Sequence, residues 1–212
     1  MARNTLTAGL IAIVALVAGL LTARAFLADS ARPPDTRQTT VFPSPRAVPQ
    51  FGLVSRDGRP LGPHYFEQRW TLVFFGFTSC PDVCPTTLAM LAQVRLQLRD
   101  LPTGEQPQVL MITVDPHRDD AAHLDTYVTF FDDSFTGATG PEEAIDRAAG
   151  FFGIPYARVE LEDGNYTMDH GSGIFMVAPS GAVVAYSSAP HDAADLASDY
   201  RKVVGYWSQG NE

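Results

Sequence analysis

Thr71-Leu72-Val73-Phe74-Phe75-Gly76-Phe77-Thr78-Ser79-Cys80-Pro81-Asp82-Val83-Cys84-Pro85 decides the fold. Its first seven residues are apolar on successive rather than alternate positions. Such a run suits a strand covered on both faces, as in a parallel sheet. Val109–Val114 repeats the pattern. Between the two, Leu88, Leu91, Val94, Leu98 and Leu101 recur at spacings of three and four, the signature of an amphipathic helix. Strand, helix and strand make a βαβ unit. Its first turn holds both cysteines of the protein, Cys80 and Cys84, four residues apart. A prolyl residue at position 85 would clash with the carbonyl of Pro81 inside a helix, so the regular helix is expected to begin at Pro85. Either way the two sulfurs can converge on a soft metal, a reversible disulfide, or both. Nearness to a helix N-terminus is expected to lower the thiol pKa values.

The rest of the chain extends this unit. A short hairpin is expected from Phe51-Gly52-Leu53-Val54 to Arg59-Pro60-Leu61. Asp119 or Asp120 can cap a helix burying Leu124, Val128 and Phe131. Pro141-Glu142-Glu143 opens another, ended by Gly150 or Gly153. A strand near Ala157–Leu161, a hairpin of Ile174–Ala178 with Ala182–Tyr186, and a helix from about Asp192 to Trp207 complete it. The fold class is α/β, and a cysteine pair at the first βα turn resembles the thioredoxin fold.

The N-terminus is a different kind of sequence. Thr5–Ala23 carries no charge and approaches the roughly 20 residues that span a bilayer. Ala23-Arg24-Ala25 resembles a signal-peptidase site, so residues 1–27 read as a membrane anchor or a removable signal. Residues 28–50, with Pro33, Pro34, Pro43, Pro45 and Pro49, read as a semi-extended linker, leaving 51–208 as the folded domain. Net charge is −9 over 212 residues, while residues 1–40 carry four Arg and two Asp. The remainder is therefore at −9 − 2 = −11. An acidic body argues against nucleic acid as a partner.

Two cysteines are too few for a structural zinc site, which takes four ligands. Two thiolates and one imidazole suit copper, because sulfur favours Cu(I) and imidazole accepts either Cu(I) or Cu(II). Of His64, His117, His123, His170 and His191, the best placed is His170. It precedes the strand Ile174–Ala178, and in a thioredoxin-like topology the loop entering that strand faces the cysteine turn. Asp115, ending a central strand, is expected beside the same site, where it can orient a ligand or tune the charge, or else simply cap the turn before Pro116. Asp82 is read as a turn residue or a partner contact and not as a ligand, and Met168 as a packing residue rather than a thioether ligand.

Three stretches carry a resemblance to a known family. They are Phe74–Pro85, then Thr113-Val114-Asp115-Pro116-His117-Arg118-Asp119, then Met168-Asp169-His170. In order and spacing they resemble the Sco/SenC family, copper-binding assembly factors of cytochrome c oxidase. The resemblance implies copper held by Cys80, Cys84 and His170. It implies a tethered domain, in the periplasm of a bacterial inner membrane or in the mitochondrial intermembrane space. It implies subunit II of the oxidase, with its copper A site, as the partner that receives copper or has its cysteines reduced, and another periplasmic copper chaperone as a source. His117 departs from the acidic residue many relatives carry, and Asp119-Asp120-Ala121-Ala122 lacks their Thr-Pro. The competing reading is an enzyme, a thiol-disulfide oxidoreductase or thiol peroxidase, which needs the cysteines but not His170.

Overall fold

A computed structural model describes residues 12–23, 33–56, 58–162 and 164–208. The segment expected as anchor or signal is described only at residues 12–23, a fully exposed helix (α1); its other residues lie outside the described set. Among the described residues no helix is long and apolar enough to cross a membrane.

The two apolar runs are β4 (Thr71–Gly76) and β5 (Gln108–Thr113), paired in parallel from Thr71↔Gln108 to Gly76↔Thr113. Every residue of β4 is buried, as a strand covered on both faces requires. The six-stranded sheet has the order β1-β10-β9-β4-β5-β6. Here β1 is Thr39–Ala47, β6 is Thr136–Ala138, β9 is Ile174–Val177 and β10 is Ala182–Ser187. β9 runs antiparallel to β4, and β6 parallel to β5. The expected hairpin β2 (Leu53–Val54) and β3 (Pro60–Leu61) forms a small separate sheet.

Side chains alternate across β4. Leu72 and Phe74 pack with α2 (Val83–Gln97), α3 (Ala121–Thr129) and α5 (Ala193–Ser208) through Leu88, Leu124 and Tyr200. Val73, Phe75 and Phe77 face the other way, toward α4 (Glu142–Phe152) and the β2–β3 hairpin. Gly153 ends α4 at φ 71°, a left-handed cap that glycine adopts without Cβ strain.

Three expectations are corrected. Residues 39–47 are not linker: they form β1, the edge strand beside β10. Pro43 and Pro45 fall where the register shifts between Val41 and Arg46, and an edge bulge is where a strand tolerates proline. The start of β1 is fastened by the buried carboxylate of Asp199 on α5, which accepts from the backbone N–H groups of Arg37, Gln38 and Thr39 at 2.9–3.1 Å. Helix α2 begins at Val83, not Pro85. Pro81 lies outside the helix, so Pro85 sits in a first turn whose N–H groups have no helical partner anyway. Finally, the stretch around His170 is not a loop but strand β8 (Tyr166–His170), paired antiparallel with β7 (Tyr156–Glu160) in a sheet of its own.

Candidate metal centre

β4 delivers the chain to the cysteine turn at the carboxyl end of the central strands. Phe77 is buried, Cys80 N–H closes a turn on the Phe77 carbonyl at 3.3 Å, and α2 then starts. Cys84 is 1% exposed, whereas Cys80 is half-buried, and neither is in a disulfide. The Cys84 N–H points at Cys80 Sγ, 3.4 Å away. Gly76 makes room for this turn: a Cβ there would lie 2.8 Å from Cys84 Sγ.

His170 comes 86 residues after Cys84, and the fold brings its Nε2 to 3.6 Å from Cys84 Sγ. Its Nδ1 lies 3.1 Å from the Gly171 carbonyl, which can only accept. Nδ1 therefore carries the hydrogen, and Nε2 turns a lone pair toward the sulfurs. The ring stands edge-on to Phe77, centroids 5.8 Å apart. The two Sγ atoms and a ring nitrogen of His170 all lie within 4.8 Å of one another. Ligand atoms each about 2.0–2.3 Å from one ion stand roughly 3.5–4 Å apart in a trigonal arrangement, so a small contraction seats an ion here.

Burial pushes the Cys84 thiol well above the ordinary cysteine range, against a lowering by the Phe77 backbone. This reverses the expected lowering by the helix terminus: the sulfur belongs to the buried apolar cluster of Phe75 and Phe77, where loss of solvation outweighs the helix dipole. A sulfur so protonated is a poor free nucleophile and becomes a thiolate when a cation displaces its proton.

Asp115 is 1% exposed. It accepts from the Tyr166 hydroxyl at 3.0 Å and pairs with Arg118. Desolvation, then the hydrogen bond that its hydroxyl donates to Asp115, raises the Tyr166 pKa. Asp119, expected as one of two helix caps, is fully buried. Its carboxylate accepts from Thr78 N–H at 3.0 Å, from the Thr78 hydroxyl, and from the Thr113 hydroxyl at 2.7 Å, tying the cysteine turn to the end of β5. Asp120 is the cap, accepting from His123 N–H at 2.7 Å. Two successive acids before one helix were the signal that one of them had other work.

The other histidines stand elsewhere. His64 pairs with Glu67, and His117 with Glu142 at 3.7 Å, both exposed. His123 rests by the Arg118 carbonyl, and His191 Nε2 donates to the Ser172 carbonyl at 2.8 Å. Asp82 is exposed at the start of α2, and Met168 packs in the second core, as expected. A cleft of about 320 Å³ runs beside the cysteine turn, lined by Asp82, Val83, Met90, Ser172, Ala189 and His191. A larger one, about 770 Å³, lies beside β3 with His64 on its wall and is lined by none of Cys80, Cys84 and His170.

The SCO1/SenC family model matches residues 41–205. A Stutzerimonas stutzeri protein named for copper binding is 35% identical over 156 residues, 74% of this chain and 76% of that one. The mouse protein SCO2 homolog, mitochondrial, is also 35% identical, over 73% of this chain and 61% of its own length. The chain thus spans less than two thirds of the mitochondrial relative. Among solved structures, Arabidopsis thaliana ScoI with copper bound matches with a TM-score of 0.67 at 30% identity, covering 78% of this chain and 98% of that one. Apo Sco1 of Thermus thermophilus matches at 0.64 and 34%, covering 80% and 95%.

Proposed function

The chain belongs to the SCO1/SenC family, and on that footing we propose that it carries one copper ion on Cys80, Cys84 and His170 as cargo for the copper A site of cytochrome c oxidase subunit II. The observation that supports this is the meeting of two sulfurs and a metal-ready imidazole nitrogen within 4.8 Å, drawn from elements 86 residues apart. Soft sulfur donors select copper among the ions such a set can hold. Three donors leave a side open to an incoming ligand, and half-buried Cys80 is the sulfur that such a ligand reaches first. Copper can then pass by exchange of ligands, without release to solvent. The same thiols, unloaded, can reduce a disulfide of the target to two thiols while closing to a Cys80–Cys84 disulfide themselves. Burial raises the Cys84 thiol pKa, which favours the carrier over a free-standing reductase or peroxidase. We place the domain outside the cytoplasm, in the periplasm of a bacterial inner membrane, with residues 1–27 as anchor or removed signal and a second copper chaperone as donor.

The test is Cu(I) competition titration of the reduced chain, with absorption spectra of the Cu(II) form. One equivalent should bind, with thiolate-to-copper charge transfer. His170→Ala should weaken Cu(I) binding by more than the roughly 10–100-fold typical of losing a supporting residue. A variant with wild-type affinity and spectrum would remove His170 from the centre.

A further inference from the structure

The hairpin that bears His170 has no backbone pairing to the six-stranded sheet. Chain connections tie only its base, through residues 171–173 into β9 and residues 153–155 from α4, so its tilt over the cysteine turn is set by side chains. Tyr166, Met168 and His170 alternate along β8, so they share one face, opposite Glu160, Arg158 and Tyr156 in register. Four steps along the strand take the chain from Tyr166 to His170, about 13 Å. Fixing one end of so short a strand fixes the other, and a slip of one residue would turn both rings away.

The Tyr166 end is fixed with unusual completeness. Its ring lies between two guanidinium groups, Arg118 at 3.9 Å and Arg158 at 3.8 Å from the centroid. Its hydroxyl donates to Asp115, and its carbonyl accepts from Arg118 at 3.0 Å. Arg118 in turn pairs with buried Asp115 and lies 5.8 Å from the centre of the Phe77 ring, against which His170 stands. Asp115 and Phe77 belong to the cysteine side of the site, Tyr166 and Arg158 to the hairpin. Arg118 spans the two. Cation–π contacts of this kind strengthen as water is excluded.

We propose that Tyr166, clasped between Arg118 and Arg158 and seated on Asp115, is the positioning residue that holds the β7–β8 hairpin over the cysteine turn and thereby sets His170 Nε2 beside Cys84. The proposal rests on the copper reading for its consequence, but the geometry it explains belongs to the metal-free chain. Two measurements on the full chain in detergent therefore separate the two claims. The first is the cross-relaxation between ring protons of Phe77 and His170 in the metal-free protein, labelled at Phe and His. The second is Cu(I) affinity, with the nitrogen splitting in the Cu(II) electron paramagnetic resonance spectrum.

Tyr166→Leu, which keeps an apolar side chain, should abolish the Phe77–His170 cross-peak while those within the six-stranded sheet persist. It should also weaken Cu(I) binding roughly 10–100-fold, the usual effect of losing a residue that orients a ligand. Tyr166→Phe, which keeps the ring between the two arginines, should show a weakened cross-peak and a smaller loss. A wild-type cross-peak in Tyr166→Leu overturns the proposal. So does a lost cross-peak with unchanged copper affinity and nitrogen splitting. If Tyr166→Leu does not fold, Tyr166→Phe decides: a weakened cross-peak supports the proposal and wild-type intensity overturns it. Should the wild-type chain bind no copper, the functional reading fails while the cross-peak still judges the clasp.

Discussion

Gly76→Ala places a methyl group where the structure leaves no room for one. The new Cβ would lie 2.8 Å from Cys84 Sγ and 3.2 Å from both Met111 Cε and Phe74 Cε2. Ordinary carbon contacts lie at roughly 3.5–4.0 Å, so the sulfur must move by about 1 Å, whereas the flexible end of Met111 gives more easily. Overpacking of this size costs about 1–3 kcal/mol. That is a fraction of the roughly 5–15 kcal/mol that holds a domain together, so the variant should fold. Its melting temperature should fall by about 2–12 °C, at about 2–4 °C per kcal/mol for a body of this size. The effect on the centre should be larger in proportion. Cys84 relieves the contact either by rotating about Cα–Cβ, which swings the sulfur off His170, or by pushing back the first turn of α2, which moves the sulfur away from the histidine. Both routes spoil a three-ligand set, and Cu(I) affinity should drop roughly 10–100-fold, as when a ligand loses its support. Chelator competition against Cu(I), paired with thermal unfolding of the metal-free protein, reads both. Wild-type copper affinity in a variant with the expected loss of stability would refute the reasoning, because the sulfur would then have no part in holding the ion.

Asp119→Asn leaves one acceptor oxygen for three donors and should cost about 1–3 kcal/mol, with Cu(I) affinity reduced about tenfold as the turn at Thr78 loosens; equal affinity in a stability-corrected titration would count against the tie. Copper uptake should release a proton from Cys84, which by itself raises apparent affinity about tenfold per pH unit between pH 6 and 8, so the total slope should be at least this steep; a flat profile in weakly buffered dye assays would contradict it. The same raised pKa stabilises the metal-free fold below the unfolded thiol value of about 8.5, and that contribution should fade as pH rises past it. Cys84→Ser should fade less in chemical unfolding at pH 10. Asp199→Ala strips the acceptor from three buried or half-buried N–H groups and should cost about 3 kcal/mol, with proteolysis appearing first near residues 37–39; unchanged melting and cleavage would show that β1 does not depend on it.

The parts of this fold that were legible in the sequence are those with strong local patterning. β4 and β5 announce themselves by unbroken apolar runs, α2 by its leucine spacing, α4 by Pro141 and two acids at its start. What stayed hidden depends on pairing across the chain. β1 reads as linker because Pro43 and Pro45 veto a central strand but not an edge. β6 is only Thr136-Gly137-Ala138, too short and too small to signal itself. β8 is largely polar because its outer face meets solvent, so Tyr166–His170 looks like loop until β7 is laid beside it. The site shows the same division. Cys80, Cys84 and His170 follow from donor chemistry and motif, whereas the roles of Asp119, Arg118 and Tyr166 exist only once strands 40 or more residues apart are brought together. The direction of the Cys84 pKa was misjudged for a related reason: position on a helix is local, but the depth of a sulfur is not.

The clasp of Asp199 on the start of β1 also settles where any leash must attach. Through β10 and β9, Thr39 lines up with Ser187, Ile174 and then Phe74, two residues from the end of β4. The chain toward the N-terminus therefore departs from the same pole of the sheet as the cysteine turn. The 12 residues from Leu27 to Thr39 reach at most about 43 Å when fully drawn out. If residues 1–27 sit in a bilayer, the pole that carries the cysteine turn is kept within this radius of it, in reach of the extramembrane part of an oxidase.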